Sequence, residues 1–338
     1  MDLKNVIMTL ADSAGVSGDE CEAADLAMKY LGEFTTDCYI KNGSVIGNFG
    51  ERSGDKPHIL IDAHIDRIGL VVTYITEDGF LKVAGCGGID RRLLLAQQVT
   101  VLGKEKIKGV ICSIPPHLEK DDSSVPEMDD IFIDIGMSKE QAEKLVALGD
   151  KIVFSQKCAE LCGDRITGAA LDDRCGVAAV LRAVELLKDE NPDCSYTVLF
   201  SAQEEIGERG AKTCVYDIDP DIALAVDVSF ALTADDSKQK CGEMGKGCMI
   251  GFSPVLDREL SKKMVKLSEE NSLSYQIEVM NGETGTNADR FSVNCGGVKA
   301  VTLSIPLKYM HTPVEVISLS DVEKTAQLIA AYVKEAKI

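Results

Sequence analysis

His58-Ile59-Leu60-Ile61-Asp62-Ala63-His64-Ile65-Asp66 is the stretch from which the rest of the chain is read. Its short, branched, apolar run predicts a buried strand that delivers His64 and Asp66 at its end. Upstream, the pattern predicts two short helices and then strands. Ser17-Gly18-Asp19-Glu20 reads as a capping box ahead of Ala24, Leu26, Ala27 and Leu31, with Gly32 as the helix stop. Downstream, from Thr73 to Asp164, the texture becomes short β-rich runs with turn signals at Asp78-Gly79, Gly85-Cys86-Gly87-Gly88, Gly103-Lys104 and Pro115-Pro116. That reads as a small β-barrel or sandwich inserted into the first domain.

Beyond the insertion, strands alternate with helices, the pattern of a layered α/β domain. Val177, Val180, Leu181, Val184 and Leu187 mark one face of a helix. Tyr196 to Ser201, Ile222 to Val228 and Gly297 to Ile305 read as buried strands. Ser320-Asp321-Val322-Glu323 reads as the cap of a terminal helix with Val322, Ala326, Ile329 and Val333 inward. The expected division is 1–72 with 165–338 as one α/β domain and 73–164 as the insert.

Composition narrows the function. The 338 residues exceed the ~100 to 200 of one domain. Apolar residues at 45% and charged ones at 27% match a folded globular chain rather than a disordered one. The formal charge of −19 has the wrong sign for neutralising phosphates, so neither nucleic acid nor an anionic membrane is an expected partner. The first residues lack a basic region followed by an apolar core, and no run is long enough to span a bilayer, which predicts a soluble cytoplasmic protein. The twelve cysteines include no Cys-x-x-Cys pair and are expected to be reduced, small apolar residues.

In open α/β sheets, sites gather at the carboxyl ends of strands. Here those ends carry His64 and Asp66, Asp172-Asp173-Arg174 before a helix, Glu204-Glu205, Asp227 and His311. An ionised carboxylate beside a buried sheet is costly unless paired or metal-bound. Two imidazoles with carboxylates suit Zn(II), Co(II) or Mn(II) better than calcium. Two metals about 3.5 to 4 Å apart need one bridging carboxylate, and two His with three carboxylates meet that count. Of Glu204 and Glu205, neighbours pointing different ways, one can bind metal while the other serves as general base to a water. That chemistry is hydrolysis.

The ordered motifs resemble one family. They are Ala63-His64-Ile65-Asp66-Arg67-Ile68-Gly69, Ala170-Leu171-Asp172-Asp173-Arg174-Cys175-Gly176, Gln203-Glu204-Glu205-Ile206-Gly207-Glu208-Arg209-Gly210-Ala211, Val226-Asp227-Val228, Gly245-Lys246-Gly247 and Ile305-Pro306-Leu307-Lys308-Tyr309-Met310-His311-Thr312-Pro313. The chain resembles, over nearly its whole length, the tetrahedral aminopeptidases. These are cytosolic dinuclear metallopeptidases that also carry the labels glutamyl aminopeptidase, deblocking aminopeptidase and endoglucanase M. The resemblance implies a zinc-peptidase-like catalytic α/β domain around an inserted β-barrel or PDZ-like dimerisation domain. Dimers would assemble into a hollow tetrahedral dodecamer that admits short peptides. It also implies that His64 and Asp227 end one metal's ligand set, that Glu205 and His311 hold the other metal, and that Asp172 bridges. Glu204 would be the general base and Asp66 would orient His64.

Two positions depart from the family pattern. Arg67 stands where many relatives have Glu, and Asn287 in Gly285-Thr286-Asn287-Ala288 replaces a common Asp. Arg67 suggests either a preference for an acidic substrate residue or a structural salt bridge. The leading expectation is a dinuclear metal aminopeptidase acting on free N-termini of short peptides. A metal-dependent deacylase or other amidohydrolase, and a non-catalytic metal-binding relative, are the alternatives. A glycoside hydrolase ranks below them, because Trp is absent and aromatics total 5%.

Overall fold

The computed structural model describes residues 1–114, 117, 125–234, 237 and 240–336. Helices α1 (Leu3–Asp12) and α2 (Cys21–Leu31) lead into the hairpin of β1 (Cys38–Lys41) and β2 (Ser44–Phe49). Its turn residues Asn42 and Gly43 both hold positive φ, 51° and 84°, as a tight two-residue hairpin turn demands. Next comes β3 (His58–His64), with every residue buried. The strands β4 (Gly69–Ile75), β5 (Leu81–Cys86), β6 (Gln98–Leu102), β7 (Lys106–Ile111) and β8 (Phe132–Asp134) follow. After α3 (Lys139–Leu145) and β9 (Lys151–Phe154), these six strands close into a barrel ordered β4-β5-β8-β7-β6-β9. Leu70, Val72, Leu81, Val101, Ile107 and Ile133 fill it. Along β7 burial alternates strictly, so Ile107 and Ile111 point inward while Lys106, Lys108 and Val110 point out. Pro115-Pro116 lies outside the described residues.

The chain returns through β10 (Ala159–Glu160), β11 (Arg165–Gly168) and α4 (Leu171–Leu187). There follow β12 (Ser195–Ser201), α5 (Arg209–Ile218), β13 (Ile222–Phe230), β14 (Cys248–Phe252), α6 (Arg258–Glu270) and β15 (Tyr275–Val279). The last elements are α7 (Ala288–Phe291), β16 (Lys299–Leu307), β17 (Glu315–Ser318) and α8 (Leu319–Glu335). Eight strands form one sheet in the order β1-β2-β12-β3-β13-β16-β14-β15. Its centre, β12, β3, β13 and β16, is parallel, and such strands read as continuous apolar runs because helices cover both faces. A small sheet, β10-β11-β17, sets Gly168 opposite Glu315.

Three local expectations change in the folded chain. Ser17 and Glu20 form no capping box: α2 begins at Cys21 without a side-chain cap, and the Ser17 hydroxyl donates to Asp66 Oδ2 at 2.6 Å. Likewise α8 starts at Leu319, and Asp321 accepts the N–H groups of Gly245 (2.6 Å) and Gly247 (2.7 Å). In both cases a tertiary partner takes the polar group that the local pattern assigned to a helix end. Finally, α4 buries more than the expected face of Val177, Val180, Leu181, Val184 and Leu187: Cys175 through Leu181 are all buried, because the helix lies between the sheet and α1 and α8, and Arg182, Glu185 and Leu186 form its partly exposed side. The inner face of α8, Val322, Ala326, Ile329 and Val333, is buried as expected. No disulfide joins any of the twelve cysteines, and of these only Cys175, Cys194, Cys214 and Cys248 are buried. Among the described residues no helix is long and apolar enough to cross a membrane.

Candidate metal centre

Parallel pairing sets Ser201 beside His64, and the Ala225–Asp62 pair brings β13 into step with β3, so three chain crossings end at one edge. His64 is 2% exposed. Its Nε2 lies 3.0 Å from Asp172 Oδ1 and 3.9 Å from Asp227 Oδ1. The other oxygen of Asp172, Oδ2, lies 3.4 Å from His311 Nε2, which is itself 3.3 Å from Glu205 Oε2. One carboxylate thus stands between two imidazoles, an oxygen toward each. Ligand atoms of His64, Asp172 and Glu205, and of His64, Asp173 and Asp227, lie within 4.8 Å of one another in each trio.

Backbone geometry aims these groups. Asp172 and Asp173 stand at the head of α4 with non-helical dihedrals, and the peptide between them is cis. Gln203, with φ of 57°, turns the chain sharply after β12. The two N–H groups that follow, of Glu204 and Glu205, donate to Asp66 Oδ1 (2.9 Å) and Oδ2 (3.2 Å). His64 Nδ1 is 3.2 Å from the Asp66 carbonyl and 3.5 Å from its carboxylate. His311 Nδ1 meets the Gly88 carbonyl at 3.1 Å, a contact supplied by the loop after β5.

The electrostatics are those of too many acids in too little water. Burial, with Asp227, Asp66 and Asp172 nearby and His64 opposing, pushes the Glu204 carboxyl up to about 8. Asp227 is pushed up to about 7 by burial and by Asp172 and Asp62, against His64. Burial, reinforced by Asp172 and Asp227 respectively, drives Glu205 and Asp173 well above the carboxylate range. Asp172 goes the other way despite its burial, because His311 and His64 hold it ionised. Asp173 Oδ1 caps α4 by accepting the Gly176 N–H at 3.1 Å, while Oδ2 has no hydrogen-bond partner among the described residues. Nitrogen and oxygen donors converging this closely, with an orphaned carboxylate oxygen among them, fit divalent cations of the zinc, cobalt or manganese kind.

All seven residues singled out in the sequence therefore meet at this edge, five as converging side chains, Asp66 beneath them and Glu204 within their field. Glu315 is a further acid of this edge, outside the seven. It is 2% exposed and accepts three N–H groups: Leu171 (2.8 Å) and Asp172 (3.2 Å) on Oε2, and His311 (3.0 Å) on Oε1. Its signal in the sequence was an acid set inside the apolar run Val314-Glu315-Val316-Ile317. Asp173, next to Asp172, also brings a carboxylate oxygen to His64 and Asp227.

The two departures also find places. Asn287 Nδ2 donates to Asp62 Oδ2 and Ser201 Oγ, both at 2.7 Å, so it serves a buried acid two residues before His64. Arg67 is 3% exposed, donates to the Ala169 carbonyl at 2.6 Å, and lines a cavity shared with none of the seven site residues. That placement gives no support to a role in selecting an acidic substrate residue.

A layered α/β sheet with this donor cluster at its carboxyl edge belongs to the class of metal-dependent hydrolases. The chain is a member of the M42 glutamyl aminopeptidase family, whose model matches residues 43–328, and it is a metallo-aminopeptidase. It is 33% identical over 336 residues to the lysyl aminopeptidase of Pyrococcus furiosus, covering 97% of this chain and 96% of that one. Its fold matches an aminopeptidase from the archaeon Desulfurococcus kamchatkensis with a TM-score of 0.93 at 36% identity, covering 99% of this chain and 95% of that one. It also matches the Pyrococcus horikoshii TET1 peptidase, described as assembling into a tetrahedron or a large octahedral shell. That match has a TM-score of 0.89 at 34% identity and covers 99% of this chain and 100% of that one.

Proposed function

We propose that the protein removes the N-terminal residue from short peptides, using two divalent cations (Zn, Co or Mn) per subunit. In this reading His64 and Asp227 hold one ion, Glu205 and His311 the other, and Asp172 is shared. The observation that carries it is the division of the Asp172 oxygens between the imidazoles of His64 and His311. Bound ions of this kind polarise the scissile carbonyl and lower the pKa of water.

The chain's own groups do the rest. Asp66 fixes the backbone of Glu204 and Glu205 together, so one side chain can serve as ligand while its neighbour stays free. Glu204, placed beside Glu205 by the shared contact to Asp66, would take a proton from the attacking water and pass it to the departing amine nitrogen. Asp66 also supports His64.

We assign catalysis to 1–72 with 165–338 and subunit contacts to 73–164, with the barrel itself already beginning at Gly69, the first residue of β4. The exposed apolar residues Val110, Ile114 and Leu148 on the insert support the second assignment. The tetrahedral or octahedral assembly of the TET1 peptidase and the dodecamer of a related structure support a homo-oligomer, for which we propose dimers building a dodecamer, and twelve cysteines with no disulfide among them suit the cytoplasm.

The test pairs Glu204→Gln with a library of free and N-acetylated peptides read by mass spectrometry. Turnover is expected to fall about 10²- to 10⁴-fold while metal uptake is retained, with only free peptides trimmed. Cleavage confined to acetylated peptides would mean a deacylase instead.

A further inference from the structure

Away from the strand-end cluster, the end of α1, the segment after His64 and the barrel wall enclose a cavity of ≈ 240 Å³. Its buried wall is Arg67, 3% exposed, which donates to the Ala169 carbonyl at 2.6 Å. Its mouth carries Lys106 and Lys108, projected outward by the alternation of β7, and Lys157. Lys108 Nζ donates to Thr100 Oγ1 (3.0 Å) and Ser155 Oγ (3.4 Å), Lys157 Nζ to the Asp12 carbonyl (3.0 Å), and Lys106 pairs with Glu22. Asp12, 3.6 Å from Lys157 Nζ, is the carboxylate in the lining among the described residues. Glu315 and Glu205 also act on the charge of Arg67 but do not line the cavity. Four cations thus face one lining carboxylate in a chain of net charge −19.

We propose that this cavity binds a small tetrahedral oxyanion, the chemistry shared by inorganic sulfate, inorganic phosphate and the phosphate group of a small metabolite. A guanidinium in the wall beside the hydroxyls of Thr100 and Ser155 and three exposed ammonium groups is the arrangement that replaces an oxyanion's hydration. The bound charge would sit one residue from Asp66, and so close to the support of Glu204 and Glu205.

The test is equilibrium dialysis of the metal-loaded protein with radiolabelled sulfate, at constant ionic strength in chloride. One saturable site per subunit is expected, displaced by phosphate or by glycerol 3-phosphate, the tighter of the two naming the source. Lys108→Gln and Lys157→Gln, both exposed positions that leave the fold intact, should each weaken it about tenfold or more, the loss of one charge-assisted hydrogen bond. Absence of saturable binding would overturn the proposal. So would binding that survives both substitutions, or that disappears when the metal is chelated while the lysine variants bind normally.

Discussion

Stripping the cations should make stability fall as pH rises from about 5 to 8, a window set by the site's own acids. Burial, with neighbouring acids, holds Glu204 and Glu315 up to about 8 and Asp227 up to about 7, against ~4 in an unfolded chain. Between those values the folded protein binds more protons than the unfolded one, so stability declines with pH. The contribution of these acids is complete below about pH 4 and lost as pH passes their folded values. His64 and His311 act in the same sense. Burial lowers them, but Asp172, and for His64 also Asp66, raises them overall, so their contribution is lost as pH climbs through the raised value. Asp172 and Asp66 are held low by the imidazoles against the effect of burial, so they lose their contribution only on acidification, outside the window. One extra proton in the folded state amounts to ~1.4 kcal/mol per pH unit, or ~4 kcal/mol across the window. The acids repel one another, and their protons leave as a group. Bound cations take over the role of those protons. Urea unfolding at about pH 5, 6, 7 and 8, with chelator and with saturating metal, reads the effect as a gap widening with pH. A gap that stays constant or narrows would refute the reasoning.

Two further substitutions probe the supports of the site. Glu315→Gln replaces two acceptor oxygens by one and leaves at least one of the Leu171, Asp172 and His311 N–H groups facing an amide donor. Metal affinity, measured by competition with a chromophoric chelator, should fall about 10- to 100-fold, and an unchanged affinity would remove Glu315 from the positioning of the ligands. Asn287→Asp sets a second carboxylate 2.7 Å from Asp62, a fully buried acid. It should cost about 2 to 4 kcal/mol in chemical denaturation, most of it regained when Asp62→Ala is added. A stable single variant would show that the pair tolerates both charges.

The sheet was legible because burial on both faces leaves its mark residue by residue: His58 to Ala63, Tyr196 to Ser201 and Ile222 to Val228 all lie within the observed strands. Local capping was not, because Ser17 and Asp321 satisfy partners far away in sequence, Asp66 in one case and the Gly245-Lys246-Gly247 turn in the other. The acids at the sheet edge show the same limit more sharply. Asp66, Asp172, Asp227 and Glu315 are all carboxylates beside apolar strands, and nothing in their spacing separates an oxygen that faces an imidazole from one that accepts a backbone N–H. Folding separates them by what each oxygen touches. Asp172 turns both toward His64 and His311, whereas Asp66 and Glu315 have theirs taken up by the backbone of Glu204, Glu205, Asp172 and His311. The register of β11 with β17 is what brings Glu315 to Asp172, since it sets Gly168 opposite Glu315. That pairing spans 147 positions of chain and has no local signature. A close-set cluster of acids therefore depends on a second, hidden set of acids that never meets the ligand. Substitutions in that second set should loosen metal binding without removing a single donor atom.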